Sequence, residues 1–131
     1  MEDRYLFRGK RIDNGEWVEG YLSYPFCTKK GNESYYFYAK DSLGFFCRCV
    51  VDASTICQCT GLKDKNGNLI WENDIVKINN SKANTVVAFR DFEIICTIPN
   101  EKYYKHRLEY DTEYEVIGNI FDNPELLESE E

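Results

Sequence analysis

The segment TGLKDKNGNLIWENDIVKI, residues 60–78, decides the fold of this chain. In its turn region, residues 63–67, Gly67 is the natural residue for a positive φ, which predicts a hairpin with a type I turn and a bulge. Trp71 follows as an expected buried anchor and leads into an apolar strand at 75–78. A turn joined to an aromatic-anchored strand is typical of a small twisted β domain.

Outward from this segment, short apolar and aromatic runs alternate with Gly, Asn and Asp turns, which predicts antiparallel strands. The expected β segments are 1–24, 35–38, 45–51, 56–61, 85–90, 93–98 and 114–120. Pro25 is expected to end the first run, and the polar residues 28–34 to form a loop. The predicted fold class is therefore mainly β.

Two short stretches have helical character. One lies around 102–108, and the other spans 124–128, with Asn123 as its N-cap and Pro124 at its first position. We expect the second helix to bury Leu126 and Leu127 over an open edge of the sheet. Helix content should therefore be low, below the usual third of a globular protein.

Length and composition point to one cytoplasmic domain. A chain of 131 residues fits a single compact domain. No run approaches the roughly 20 apolar residues that span a bilayer. The N-terminus, MEDRYLFRGKR, carries charges where a signal peptide has its apolar region. We therefore expect a cytoplasmic protein that does not enter the membrane.

The net charge of −7 is distributed unevenly. Residues 1–107 contain all 16 Lys and Arg against 14 acidic residues, whereas residues 108–131 contain nine acidic residues and no Lys or Arg. Two interpretations are open. The acidic end is a solvated tail, or it docks on a basic surface of the same chain or of a neighbouring copy.

Cys47, Cys49, Cys57 and Cys59 form the cluster with the most evident ligand chemistry. A hairpin that paired Val50 with Ile56 would place all four thiols on one face. However, alternate residues of a strand lie about 6.6 Å apart, too far for tetrahedral ligands with bonds of about 2.3 Å. We therefore expect reduced, buried thiols, with no metal, no cofactor and no disulfide.

Catalytic patterns are weak. His106 is the single histidine and is expected at the surface, with no low-pKa cysteine placed beside it. Asp64, Glu72 and Asp74 occupy turn and strand-entry positions, where carboxylates bond local backbone. The sequence has no phosphate-binding loop, nucleophile elbow or HExxH pattern. No catalytic, cofactor-binding or metal-binding residue is predicted, and an enzyme is not expected.

Two binding functions remain open. Tyr35–Tyr38 and Phe45–Phe46 place aromatic residues on both faces of their strands, which favours self-association or a partner surface, with core packing as the alternative. Aromatic residues also adjoin basic ones, a composition found in nucleic-acid-binding β domains. These residues are Tyr103–Arg107, and Arg8, Lys10 and Arg11 beside Tyr5 and Phe7. The acidic end opposes that second function.

The segments TGLKDKNGNLIWENDIV, YEVIGNIFDNPELL and RGKRIDNGEWVEGYL resemble the YopX family, small proteins encoded mainly by phages and prophages. The resemblance implies an SH3-like barrel or roll, one domain over 1–131 with segments 1–59 packed on a barrel-like part 60–128. It implies no catalytic residues. The family usually has glycine where this chain has Asn73, and asparagine also tolerates a left-handed conformation.

The resulting functional hypothesis is a non-catalytic interaction module that self-associates into a homo-oligomer, or binds an unknown phage or host protein, in the bacterial cytoplasm. A nucleic-acid-binding accessory protein of a phage is the second hypothesis. An enzyme is the third.

Overall fold

The structure is a computed structural model that describes residues 6–29, 32–40, 46–79, 81, 83–90, 93–99, 105–109 and 112–127. For residues 22–29, 32–37, 39–40 and 46–47 it describes the backbone alone. These parts contain eleven strands, paired antiparallel in every register determined, and two short 3-10 turns. The predicted mainly β fold with little helix is therefore confirmed. The chain divides into two compact units, Met1–Cys59 and Thr60–Glu131. The packing of 1–59 on 60–128 as one barrel-like domain stays a prediction.

The first unit is one antiparallel sheet with strand order β4-β3-β2-β1-β5. Its strands are β1 (Phe7–Lys10), β2 (Trp17–Lys29), β3 (Asn32–Lys40), β4 (Phe46–Asp52) and β5 (Cys57–Lys63), the last of which continues into the second unit. Beyond β1, Arg11 forms a bridge with Val51, and the Ile12 N–H donates to the Val50 carbonyl at 3.1 Å. The sheet therefore curls until β4 meets the end of β1.

The core of this unit lies on one face of the curled sheet. Cys49 and Val51 are buried there, with Phe7, Val18 and Ile56 packed against them. Because successive side chains of a strand point to opposite faces, the inward position of Val18 leaves Trp17 on the opposite face.

Two sequence expectations about β2 and β3 are wrong. β2 does not end at Pro25, because a register shift between Leu22 and Pro25 lets the strand continue. Such an irregularity is where a strand accommodates a residue without an N–H group. Most of the loop expected over 28–34 is likewise strand, since β2 reaches Lys29 and β3 begins at Asn32; residues 30–31 lie outside the described ranges.

The second unit contains a five-stranded antiparallel sheet with order β10-β9-β8-β7-β11. Its strands are β7 (Asp74–Ile78), β8 (Thr85–Arg90), β9 (Glu93–Thr97), β10 (His106–Arg107) and β11 (Tyr114–Asn119), and the short β6 (Leu69–Trp71) lies beside β5. Its core comprises Ile70, Val76, Ile78, Val87, Cys96 and Tyr114. Trp71 is buried, as predicted.

The hairpin that joins β5 to β6 has the predicted turn. Gly67 has a φ of +85°, and its N–H donates to the Asp64 carbonyl at 3.0 Å, while the Asp64 N–H donates to the Asn68 carbonyl at 2.8 Å. Asn73, which follows Trp71 and Glu72, has a φ of +70°. It therefore adopts the left-handed conformation expected where the related family usually has glycine.

The two predicted helices, around 102–108 and over 124–128, have different outcomes in the structure. The helix around 102–108 is wrong where the structure describes it, because His106–Arg107 is a strand; residues 102–104 lie outside the described ranges. A one-turn 3-10 helix spans Pro124–Leu127, and residue 128 lies outside the description. Leu126 and Leu127 are half-buried and not fully covered. No helix in these described parts is long and apolar enough to cross a membrane.

Asn123 does not cap that turn with its side chain. Its Oδ1 accepts the Asn119 N–H at 3.2 Å, while its backbone carbonyl accepts the Leu126 N–H at 3.1 Å. The turn is held instead by Asn84, whose side-chain amide donates to the Leu126 carbonyl at 2.7 Å.

Candidate interaction face

One face of the first sheet, opposite its core, collects aromatic and basic side chains across four strands. Side chains directly opposite each other in an antiparallel pair lie on the same face. The register pairs Arg8 with Glu19 and Lys10 with Trp17, Tyr21 with Tyr38, and Tyr38 with Arg48. On β4, Val50 and Asp52 alternate with the buried Cys49 and Val51 and so lie on the same face as Arg48. We call this set the Tyr38 face, and its described members on these four strands are Arg8, Lys10, Trp17, Glu19, Tyr21, Tyr38, Arg48, Val50 and Asp52.

Trp17 organises the cations at one end of the Tyr38 face. The Arg8 guanidinium carbon lies 4.7 Å from the centroid of the Trp17 ring, and the Lys10 Nζ lies 5.3 Å from it. Both distances are within the range of cation–π attraction. The indole therefore orients two positive charges on this surface.

Tyr38 supplies the most accessible aromatic ring of the set. Tyr38 is 45% exposed, whereas large, partly apolar residues are more often buried. Tyr21 beside it is half-buried, and Arg48 on its other side is exposed. Tyr21, Tyr38 and Arg48 thus form a row across β2, β3 and β4 that offers both a ring and a guanidinium to a partner.

Sequence reasoning located only part of this surface. It named Arg8 and Lys10, but it associated them with Tyr5 and Phe7. Phe7 packs on the core, and Tyr5 lies outside the described residues. Arg11 makes hydrogen bonds of 3.0 and 2.7 Å to the carboxylate of Asp13.

Trp17, Tyr21 and Arg48 were missed as partners of these residues. The alternation of Trp17, Glu19 and Tyr21 was visible in the sequence, whereas the register that aligns them with Tyr38 and Arg48 was not. Of the aromatic runs predicted as a surface, Tyr38 is the one whose side chain the structure describes.

The second predicted basic segment, Tyr103–Arg107, has little charge to offer a partner where it is described. Lys105 Nζ lies 2.9 Å from Glu93 Oε2, and Arg107 binds the other oxygen of the same carboxylate. Hydrogen bonds from Lys105 and Arg107 hold the pKa of Glu93 below its ordinary value. Tyr103 and Tyr104 lie outside the described residues.

The single histidine lies in a cluster with a thiol and a phenol. His106 is half-buried, its Nε2 is 3.2 Å from the Tyr114 hydroxyl oxygen, and it pairs across the sheet with Cys96. The Tyr114 hydroxyl also accepts the Glu109 N–H at 2.9 Å. The expectation of a surface histidine therefore misses its contact with a core tyrosine.

The chemistry of this cluster is that of a packed core. Burial raises the pKa of the Cys96 thiol to about 11, so the thiol stays protonated and is a poor nucleophile at neutral pH. Burial also raises the pKa of Tyr114. The cluster joins β9, β10 and β11, and its geometry supports a structural role.

The four-cysteine hairpin that would follow from pairing Val50 with Ile56 does not form. β4 pairs with β3 and β5 pairs with β1, so Cys49 and Cys57 lie on strands that are not neighbours in the sheet. The 3-10 turn Ala53–Thr55 between them carries the chain from β4 to β5. Among the side chains that are described, no group of three or more His, Cys, Asp or Glu could hold a metal ion.

The segments that carried the family resemblance mostly build the second unit. The Asp64 carboxylate in the first segment accepts the Val116 N–H in the second at 3.1 Å, and the Ile120 N–H donates to the Asn73 carbonyl at 3.1 Å. These two sequence segments are therefore adjacent in space and build the framework of the second unit. The chain matches no individual curated protein. The family model described as YopX protein matches residues 6–128, and the chain belongs to the YopX family.

Proposed function

We propose that this protein is a non-catalytic interaction module whose partner binds the Tyr38 face. The observation that carries the proposal is the row of Tyr21, Tyr38 and Arg48, in which a large aromatic ring is 45% exposed. Tyrosine and arginine are enriched at protein interfaces because they combine large contact area with directional polar groups. Because the Cys96 thiol is protonated, it cannot serve as a nucleophile beside His106 and Tyr114. This supports a binding role over catalysis.

Self-association is part of this proposal. Residues 1–59 contain eight basic and eight acidic residues, whereas residues 60–131 contain eight basic and fifteen acidic residues, a net charge of −7. The charged members of the Tyr38 face that are described are three cations, Arg8, Lys10 and Arg48, and the two carboxylates of Glu19 and Asp52. Charge complementarity therefore favours contact between the Tyr38 face of one copy and the acidic second unit of another.

The setting that we propose is the cytoplasm of a bacterial host, with the protein encoded by a phage or prophage. The sequence feature that supports it is the resemblance of three segments to phage proteins.

Sedimentation velocity over a range of protein concentrations tests the self-association. Wild type should form oligomers that dissociate as the salt concentration rises. Dissolved ions screen the attraction between exposed charges, with a screening length of about 10 Å at 0.1 M ionic strength. Tyr38→Ala should shift the protein towards monomer. Arg90→Ala is the control, because it removes an exposed side chain from β8 of the second unit and leaves the Tyr38 face intact. Oligomers that Tyr38→Ala and Arg90→Ala affect equally would contradict this role of the face.

A further inference from the structure

We infer that Asn14 is a site of spontaneous deamidation, at which the asparagine converts to isoaspartate and aspartate without an enzyme. The sequence contains two Asn-Gly pairs, Asn14–Gly15 and Asn66–Gly67, and both lie in exposed hairpin turns. This dipeptide is prone to deamidation because glycine has no side chain to hinder the close approach of its nitrogen. The structure distinguishes the two pairs and assigns the modification to the first.

The reaction uses atoms of the chain, base from the solvent and water. The Gly15 nitrogen, after losing its proton to base, attacks the side-chain carbonyl carbon of Asn14 and forms a new C–N bond. Negative charge develops on Oδ1, and the side-chain nitrogen leaves as ammonia with a proton from water, which gives a cyclic succinimide. Water then adds to either carbonyl of the succinimide and opens the ring to isoaspartate or aspartate.

The Asn14 side chain is already placed for that attack. Its Oδ1 accepts the backbone N–H of Glu16 at 2.9 Å, an Asx-turn that folds the amide group back along its own main chain. The Gly15 nitrogen lies within the ring that this hydrogen bond closes. When negative charge develops on Oδ1, the Glu16 N–H is in position to stabilise it, as the donors of an oxyanion hole do.

The surroundings of this first pair permit the reaction. The Asp13 carboxylate lies 2.7 Å from the Arg11 guanidinium, so its negative charge is offset. Residues 12–16 are exposed, so base and water reach the turn and solvent screens the Glu16 carboxylate. The Gly15 N–H donates to the Arg11 carbonyl at 2.9 Å. The turn therefore has to open locally before the attack, a motion that exposed turns undergo readily.

The turn at Asn66 uses the corresponding N–H donor differently. The N–H group two residues further on, that of Asn68, donates to Asp64 Oδ1 at 2.9 Å, and the Asn66 N–H donates to the same oxygen at 3.0 Å. The donor that would stabilise charge on the Asn66 side chain is therefore engaged by a carboxylate. The charge of Asp64 also opposes ionisation of the Gly67 nitrogen, because like charges disfavour each other.

This second turn is also tied to a neighbouring strand. The Gly67 N–H donates to the Asp64 carbonyl at 3.0 Å, and the carboxylate of the same aspartate accepts the Val116 N–H in β11 at 3.1 Å. Release of the Gly67 nitrogen therefore disturbs a turn that is anchored at a second point. The second Asn-Gly pair should react more slowly than the first, although the two dipeptides are identical.

The product changes the turn between β1 and β2. Isoaspartate carries the main chain through its Cβ atom, so the connection between Lys10 and Trp17, which pair across the two strands, becomes longer. The modification also adds a carboxylate to this turn. Deamidation of Asn14 therefore alters the end of the hairpin that holds Trp17.

Peptide mapping of the full-length protein after incubation in mildly alkaline buffer tests this inference. Trypsin cuts after Arg11 and Lys29, so Asn14 is the single asparagine of its peptide, and fragmentation locates Asn66 within the peptide 66–77. Mass spectrometry that distinguishes isoaspartate from aspartate follows each site over time. In the native protein, Asn14 should be converted at least several-fold faster than Asn66.

The same chain in denaturant is the matched control. Unfolding removes both turns, so the two identical pairs should then react at similar rates. Asp64→Asn should accelerate the reaction at Asn66 and leave Asn14 unchanged, because it removes the nearby negative charge. Asn14→Gln should suppress the modification in peptide 12–29, since glutamine would have to close a larger ring that forms more slowly. Thermal melting verifies that each variant is folded.

Two outcomes would overturn the inference. One is conversion of Asn14 in the native protein that is no faster than conversion of Asn66. The other is isoaspartate at residue 14 in denaturant but not in the native protein, which would show that the turn protects the amide. The inference does not depend on the proposed function, because self-association is measured on freshly prepared, unmodified protein.

Discussion

Asp64 accepts hydrogen bonds from backbone groups in two parts of the second unit. Its Oδ1 accepts the Asn66 and Asn68 N–H groups at 3.0 and 2.9 Å, and its Oδ2 accepts the Val116 N–H at 3.1 Å. Desolvation opposes ionisation of this buried group, but the N–H donors of Val116, Asn68 and Asn66 outweigh it and lower the pKa of Asp64. One carboxylate therefore fixes both the hairpin turn and the adjoining β11.

We expect Asp64→Asn to lower the free energy of unfolding by about 1–3 kcal/mol at neutral pH, because the amide group cannot accept the Val116 N–H while its oxygen serves the turn. The folded-state pKa lies below the ordinary 3.8, so the unfolded chain binds its proton first as the pH falls. The carboxylate's contribution is thus present above about pH 4 and is lost as the pH drops through the folded-state value.

Urea unfolding of wild type and Asp64→Asn at neutral pH and at about pH 3 measures this effect. The difference between the two proteins should shrink at the lower pH. Asp13→Asn is the control: a hydrogen bond from Arg11 lowers the pKa of that carboxyl too, but Asp13 is exposed, and the substitution should leave stability nearly unchanged. A difference that stays constant with pH would show that the carboxylate charge is unimportant.

Trp71 is 4% exposed at the end of β6. The backbone N–H of Trp71 donates to Asp74 Oδ2 at 2.8 Å, and this hydrogen bond closes the turn into β7. Trp71→Ala removes the buried ring and should lower the free energy of unfolding by about 3–5 kcal/mol. Trp71→Phe, which keeps an aromatic ring, should cost less. Equal melting temperatures for Trp71→Ala and wild type would show that the ring is not a core residue.

At the scale of elements, the end of β11 depends on a close approach between two residues. A Cβ atom added at Gly118 would lie 2.6 Å from Asn123 Oδ1 and 2.9 Å from Asn123 Cβ. The same Oδ1 accepts the Asn119 N–H. Glycine at 118 therefore leaves the space in which Asn123 turns the chain from β11 into the 3-10 turn.

Gly118→Ala should destabilise the protein by about 1–3 kcal/mol because it forces Asn123 away from this position. Asn123→Ala alone should cost about 1 kcal/mol through the lost hydrogen bond. The double variant should cost less than the sum of the two, since alanine at 123 has no Oδ1 to collide with. Chemical denaturation of the four proteins completes the cycle, and strict additivity would contradict this steric explanation.

The edges of the second sheet illustrate a further property at this scale. β11 is an outer strand of that sheet, yet the Lys65 N–H donates to the Tyr114 carbonyl at 2.9 Å and Asp64 accepts the Val116 N–H. An outer strand with unpaired N–H and C=O groups is a template for aggregation. The β5–β6 hairpin occupies these groups and so blocks strand addition at β11.

At the scale of the whole molecule, labelling of the buried cysteine thiols can measure how readily each of the two units opens. Cys49, Cys57 and Cys59 are buried in the first unit and Cys96 in the second. We expect these four to react slowly with a thiol-specific reagent in the native protein and rapidly in denaturant, because buried thiols are inaccessible to the reagent. Peptide mapping by mass spectrometry identifies the labelled sites.

Ser81→Cys provides the positive control, because residue 81 is exposed and its thiol should react in the native state. Rapid labelling of Cys49 or Cys96 in native buffer would show that the corresponding core opens readily. Denaturant midpoints measured separately at Cys49 and Cys96 would also report the stability of each unit by itself.

The local features of this fold could be predicted from the sequence because they depend on neighbouring residues. The turn at Gly67, the left-handed Asn73, the burial of Trp71 and the strands β7, β8, β9 and β11 all follow from backbone preference and short-range periodicity. The family could also be recognised at this level, since its characteristic segments specify that scaffold.

Only the tertiary structure decided which strands are neighbours. The sequence left open a hairpin of β4 and β5, whereas three strands lie between them in the sheet. This order rules out that hairpin and aligns Tyr21, Tyr38 and Arg48 in a row. Pairing between distant strands depends on long-range burial and register, which local patterns do not encode. The framework of the second unit could therefore be predicted from the sequence. The candidate interaction face could be identified only from the strand order in the tertiary structure.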